Sequence, residues 1–296
     1  MTSSLPGDVV LRVDKPEGPT SHDVVVRARR AFGTRRIGHS GTLDPFASGL
    51  LLLCLNRTTR LAEYLTHLDK SYLGVIRLDG FTATDDGTST VTAGTVHWAD
   101  VDRAQIEAGM KILTGTIEQV APIYSAKKRG GQRSYQLARR GETVQPGSAR
   151  VTVKRFELLE LALPELKFAV DCSSGTYVRA LARDLGRFLG TGGYLSQLRR
   201  TRIGPWELAD AITPTEFDIE SSWRRAALSP LEALAHLPQL QVSDEVAHRL
   251  CLGQRVQLGE SARLERLAIS NRGTLIAIAR PEGDSIVPVK VLDYRG

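Results

Sequence analysis

The chain is poor in residues that staple, ligate or anchor. Its three cysteines, Cys54, Cys172 and Cys251, lie far apart and form no CxxC pair, which excludes a disulfide framework and a thiolate zinc site. Its six histidines are scattered without an HxH, an HxxE or a second carboxylate cluster, so no metal site is expected. There is no GxGxxG fingerprint and no P-loop, and no nicotinamide or nucleotide cofactor is expected. No stretch approaches the roughly 20 apolar residues that span a bilayer. Met1 to Asp8 has no apolar signal core, so the expectation is a cytoplasmic protein without a membrane partner. Internal repeats and low-complexity tracts are absent as well.

What is present describes a globular protein somewhat larger than one ordinary domain. At 296 residues, with 42% hydrophobic and 24% charged content, a large domain with a smaller appendage is the natural reading. The balance of 39 Lys+Arg against 33 Asp+Glu, net +6, points toward a polyanionic partner. Val9–Val13, Ser71–Leu78 and Val151–Leu163 read as strands, and Leu50–Leu55 reads as a strand buried on both faces. A helix capped by Ser21 follows a Pro/Gly loop, and Asp102–Leu113 and Thr176–Leu189 also read as helices. This mixture predicts an α+β fold, with a mixed, mostly antiparallel sheet flanked by helices. After a proline-scattered stretch, short strand runs with Gly turns predict a small C-terminal β-barrel. The expected division is 1–238 and 239–296.

One loop stands out for chemistry. Gly38-His39-Ser40-Gly41-Thr42-Leu43-Asp44-Pro45-Phe46-Ala47-Ser48-Gly49-Leu50-Leu51 sets a single carboxylate among glycines, immediately before the apolar strand. The glycines allow close backbone approach, and Pro45 pushes Asp44 out of the helical region. Asp-Pro is also a common turn starter, so spacing alone leaves Asp44 open as a plain turn residue. The segment resembles the GHTGTLDPxAxGxL signature of the TruB family of tRNA pseudouridine synthases, departing from it at Ser40 and Phe46. That resemblance implies that Asp44 is the catalytic aspartate.

Four further segments resemble the same family. Lys15-Pro16-Glu17-Gly18-Pro19-Thr20-Ser21 is similar to its KPxGxTS motif, and Lys70-Ser71-Tyr72 brings Tyr72 to the position of its base-stacking tyrosine. Asp171-Cys172-Ser173-Ser174-Gly175-Thr176-Tyr177-Val178-Arg179 resembles CSxGTYxR, in which the arginine pairs with the catalytic carboxylate; Arg179 is that arginine here. Gln197-Leu198-Arg199-Arg200-Thr201 matches the LRRT-like segment whose leucine walls the uracil pocket, which implies that role for Leu198. The resemblance thus implies catalytic Asp44, Tyr72 and Arg179. It implies substrate binding by Lys15, Pro16, Tyr177 and Leu198, and by His39 as the residue that replaces the flipped base. An arginine beside Asp44 is expected to lower its pKa and hold it ionised.

Candidates for the RNA backbone are Arg35 and Arg36, which follow three arginines on the preceding helix, and Lys127, Lys128, Arg129 and Arg139. The last four belong to a basic, aromatic-interleaved insertion at about 122–141. Arg183 and Arg187 read as a solvated helix face. The C-terminal strand order is similar to the RNA-binding PUA domain. What the resemblance implies is a cofactor-free isomerase acting on the T-loop uridine at tRNA position 55, a monomer with the tRNA T-arm stem-loop as partner. Two other readings stand beside it: a non-catalytic tRNA-binding chaperone, and a synthase acting on ribosomal RNA.

Overall fold

Alternation within one apolar run organises the molecule. In a computed structural model, which describes residues 7–122, 128–129, 132–133, 147–257 and 265–292, Leu50 to Leu55 are all 0% exposed. Because successive strand side chains point to opposite faces, the run feeds two cores at once. Leu51, Leu53 and Leu55 pack with Val24, Val25, Ala28 and Trp223. Leu50, Leu52 and Cys54 pack with Leu61, Leu65 and, from the C-terminal part of the chain, Ala268, Leu275 and Ile278.

The main strands are β1 (Val10–Lys15), β2 (Ile37–Ser40), β3 (Ser48–Leu55), β4 (Lys70–Arg77), β5 (Gly115–Val120), β6 (Ser148–Ala162), β7 (Glu165–Cys172) and β8 (Tyr194–Ile203). They form one sheet in the order β1-β3-β8-β4-β7-β6-β5, with β2 on β3 and the short strands Ala227–Leu228 and Trp206–Glu207 completing it. Every pairing in this sheet is antiparallel except β3 with β8. In that parallel pair Gly49 lies opposite Arg200. Gly49 has φ +105, and a Cβ there would sit 2.2 Å from the Arg200 carbonyl oxygen, so only glycine lets the strands close at this point.

The helices are α1 (Ser21–Ala31), α2 (Ala62–Thr66), α3 (Arg103–Ile112), α4 (Val178–Leu189), α5 (Glu220–Ala226) and α6 (Asp244–Cys251). The cap of α1 is Thr20 and not Ser21: Thr20 and Asp23 form a reciprocal capping box. Ser21 is thereby released for a different task, described below. Helices α3 and α4 cover the sheet through Ile106, Met110, Leu181 and Leu185, which share one core with Ile76, Val153, Phe168 and Leu195.

From Gln239 onward a second sheet forms from β9 (Gln239–Gln241), β10 (Val256–Gln257), β11 (Leu267–Asn271), β12 (Thr274–Glu282) and β13 (Ser285–Val291), in the order β9-β11-β12-β13-β10. It is a curled half-barrel with its own core of Leu250, Ile269, Ile276 and Ile286. The fold class is therefore α+β with a mixed, mostly antiparallel sheet, as the sequence predicts.

Candidate active site

Strands β4 and β8, the loops at 41–44 and 173–176, and the ends of α2 and α4 converge on a cavity of about 480 Å³. Asp44 reaches it from the loop before β3. Leu43, Phe46 and Ala47 on either side of Asp44 are buried in the core beneath α4, which fixes the loop from within. Hydrogen bonds fix it from outside. The Ser21 hydroxyl accepts from the Leu43 N–H at 2.9 Å and donates to its carbonyl at 3.2 Å, and the Gly18 N–H donates to the Pro45 carbonyl at 2.8 Å. Lys15 is fully buried, and its ammonium donates to the carbonyls of Pro16 and Pro19, each at 2.8 Å, and of Pro45 at 3.3 Å. Burial lowers Lys15 to about 8. With its ammonium directed at three backbone oxygens, Lys15 is placed to hold two loops together.

Arg179 lies in the first turn of α4, just after the N-cap residue Tyr177. The Tyr177 side chain makes no capping hydrogen bond; instead Gln119, on β5, accepts from the Tyr177 N–H at 2.8 Å and donates to its carbonyl at 3.1 Å. Arg179 Nε meets Asp44 Oδ2 at 2.9 Å. Its Nη1 donates to the Thr84 carbonyl at 2.8 Å and lies 3.3 Å from Asp86 Oδ2. Asp86 is in turn held by the Thr84 and Thr88 hydroxyls and the Thr88 N–H. Arg179 is thus a bridge between two carboxylates, with a backbone oxygen setting its plane.

The electrostatics correct one expectation. Asp44 is raised above its ordinary value, because burial outweighs the Arg179 guanidinium and Asp86 adds like-charge repulsion. The carboxyl has 38% of its own side-chain surface open to the cavity. It is nonetheless enclosed by protein beyond contact range, and that wider enclosure sets the direction. Tyr72, buried at the cavity wall, is raised for the same first reason.

Across the sheet, Tyr72 on β4 lies opposite Arg200 on β8 and Val170 on β7. Directly opposed residues share a face, so Tyr72 and Arg200 both meet the cavity, as does Leu198 two residues earlier on β8. Asp44, Tyr72, Tyr177, Arg179 and Leu198 therefore come together. Pro16 is exposed on its loop, and neither it nor Lys15 or His39 lines the cavity. His39 sits on β2 opposite Leu53. Arg35 and Arg36 line a separate opening with Asn56, Arg57 and Arg60. Lys128 and Arg129 form a short strand paired with Gln132–Arg133, while Lys127 and Arg139 lie outside the described residues. Arg183 is no solvated residue: it is largely buried and bonds Asp85, Asp184 and the Val120 carbonyl. Arg187 is exposed, beside Asp184.

Sequence reasoning missed Asp86, Gln119 and Arg200. The Thr84-Asp85-Asp86-Gly87 run looks like any turn, and Gln119 carries no local signal. Arg200 was within reach, since strand alternation puts it on the same face as Leu198.

Residues 29–178 match the model of the TruB family pseudouridylate synthase N-terminal domain. The chain belongs to the TruB family of pseudouridylate synthases. Residues 179–235 match the tRNA pseudouridylate synthase B C-terminal domain, so the boundary between the two TruB models falls between Val178 and Arg179. Among curated TruB relatives, tRNA pseudouridine synthase B of Nocardia farcinica is 42% identical over 97% of this chain and 94% of its own length. That of Burkholderia lata is 39% identical over 96% and 90%. Among solved structures, a chain of the archaeal box H/ACA sRNP Nop10-Cbf5 complex is 26% identical with a TM-score of 0.74, over 97% of this chain and 86% of that one. A chain in the structure of an H/ACA RNP bound to a substrate RNA containing 2'-deoxyuridine is also 26% identical, with a TM-score of 0.73, over 97% and 86%.

Proposed function

We propose that this TruB-family enzyme isomerises the T-loop uridine at position 55 of tRNA to pseudouridine, with Asp44 as the group that acts at the ribose. The observation that carries the reading is the Asp44–Arg179 pair at 2.9 Å, opening onto a cavity walled by Tyr72 and Leu198. The reaction breaks C1′–N1 and joins C1′ to C5. In each available route the glycosidic electron pair leaves with uracil as its anion, whether Asp44 attacks C1′, takes the C2′ proton or steadies a cationic sugar. The base turns between Tyr72 and Leu198, C5 bonds to C1′, C5 loses its proton and N1 gains one. Atoms and electrons balance without a cofactor.

Arg179 positions the carboxylate and holds its charge. Lys15 and Ser21 act on the loop and not on the substrate. His39, Tyr177 and Pro16 are assigned to the RNA, and Arg35, Arg36, Lys127, Lys128, Arg129 and Arg139 to its backbone. Residues 1–238 form the catalytic unit, and 239–296 a PUA-like RNA-binding unit. The enzyme works as a cytoplasmic monomer. Among the described residues no helix is long and apolar enough to cross a membrane. A ribosomal-RNA substrate reached through a guide complex is the second reading, favoured by the likeness to the H/ACA chains.

The test is the purified chain on a bare T-arm stem-loop, scored by carbodiimide labelling. Wild type is expected to convert it, while Asp44→Asn is expected to bind it and yield no pseudouridine. Normal yield from Asp44→Asn overturns the catalytic assignment, and inactivity of the wild type on the bare stem-loop favours the guided reading.

A further inference from the structure

Two buried cations face the cavity with no carboxylate among the described residues paired to them. Lys70 is 6% exposed and Arg200 is 1% exposed, and both line the cavity. Among the described residues neither forms an ion pair. Arg200 donates from Nε to the Leu50 carbonyl at 2.7 Å and from Nη2 to the Gly41 carbonyl at 3.1 Å. The Lys70 ammonium donates to the carbonyls of Thr66 at 2.5 Å and Leu68 at 2.6 Å. An ammonium has three protons, and the third has no acceptor among the described residues. The two cations share one wall: a Cβ on Gly41 would lie 3.7 Å from Arg200 Nη1 and 3.8 Å from Lys70 Cε.

Burying like charges side by side is costly unless something negative joins them. The nearest acids are already engaged, Asp44 with Arg179 and Asp69 with Lys154. Burial and the Arg200 charge lower Lys70 to about 8, which leaves it mostly protonated at neutral pH. The catalytic carboxylate is held by Arg179, so this second positive centre is available for a different anion. The reaction makes one in the same cavity, when the C1′–N1 electron pair departs with the base.

We propose that Lys70, backed by Arg200, binds the detached uracil as its anion and so stabilises the state between bond breaking and reattachment. The proposal rests on the pseudouridine synthase reading above. No oxidant or co-reactant enters: the pair that leaves C1′ stays on the uracil ring until C5 donates a pair back to C1′.

Two neutral variants test it, Lys70→Met and Lys70→Gln, the second keeping hydrogen-bond donors for the Thr66 and Leu68 carbonyls. Each is assayed in single turnover on a T-arm stem-loop carrying uridine and on one carrying 5-fluorouridine, whose ring holds negative charge more readily. Cleavage is followed as loss of the N-linked nucleoside after digestion. Removing a preorganised charge-stabilising donor is expected to slow uridine cleavage about 100-fold and fluorouridine cleavage only about tenfold, with stem-loop Kd within about twofold. Equal losses on the two substrates, an unchanged rate, or full activity in Lys70→Gln overturns the proposal. Failure of the wild type to convert the uridine stem-loop withdraws the functional reading as well, whereas wild-type conversion with equal losses in the variants withdraws this one alone.

Discussion

Asp86→Asn is the sharpest probe of how the site is held. Asp86 Oδ1 accepts from the Thr84 hydroxyl at 2.7 Å, the Thr88 N–H at 3.0 Å and the Thr88 hydroxyl at 2.5 Å. Those three donors select oxygen at that position, so the new amide nitrogen must replace Oδ2 and face Arg179 Nη1, 3.3 Å away in the native protein. A charge-assisted contact becomes a donor facing a donor. Hydrogen bonds to charged groups contribute about 1.5 to 3 kcal/mol. If the full amount is lost from the transition state, the single-turnover rate falls roughly 10- to 150-fold. The pH profile moves the other way: removing the Asp86 charge relieves the repulsion that helps raise Asp44, so the acid limb shifts to lower pH while the plateau falls. The assay is pseudouridine formation with enzyme in excess across a pH series, beside filter binding of the stem-loop. A plateau within twofold of wild type, or a loss accounted for by weaker binding, refutes the argument that Asp86 acts through Arg179.

Two other outcomes follow from the same geometry. If Asp44 acts ionised, as proposed, its raised value means that the wild-type single-turnover rate should fall as pH is lowered through a midpoint above that of an ordinary aspartate, and Arg179→Met should move that midpoint higher. A midpoint at or below the ordinary range contradicts the assignment. Gly49→Ala forces a Cβ into the Arg200 backbone at a φ of +105; the positive φ costs about 1–2 kcal/mol and the overlap about 1–3 kcal/mol. Urea denaturation should show a loss of about 2–5 kcal/mol, and an unchanged midpoint would mean that β3 and β8 separate at no cost.

How far the site could be read in advance depended on how each group is placed. Asp44, Tyr72, Arg179 and Leu198 sit in runs long enough to be recognised as segments, and all four line one cavity. Their supports lie 22 to 95 residues away in the chain and are held through bonds that leave no local pattern. Examples are Ser21 to Leu43, Gln119 to Tyr177 and Asp86 to Arg179. Ser21 shows the limit well, since a serine at a helix start reads as its cap, and only the Thr20–Asp23 box shows that the cap was already filled.

The order of residues determined by itself what strand and helix periodicity can encode: a strand buried on both faces, two amphipathic helices, a second run of short strands after residue 238, and a carboxylate in a glycine-bounded loop. Tertiary structure alone decided the electrostatics. The sign of the shift at Asp44, the bridging of Arg179 to a second acid and the pairing of Lys70 with Arg200 at the cavity wall depend on which buried charges meet across strands. Distance and dielectric are properties of the folded space, and no spacing along the chain contains them.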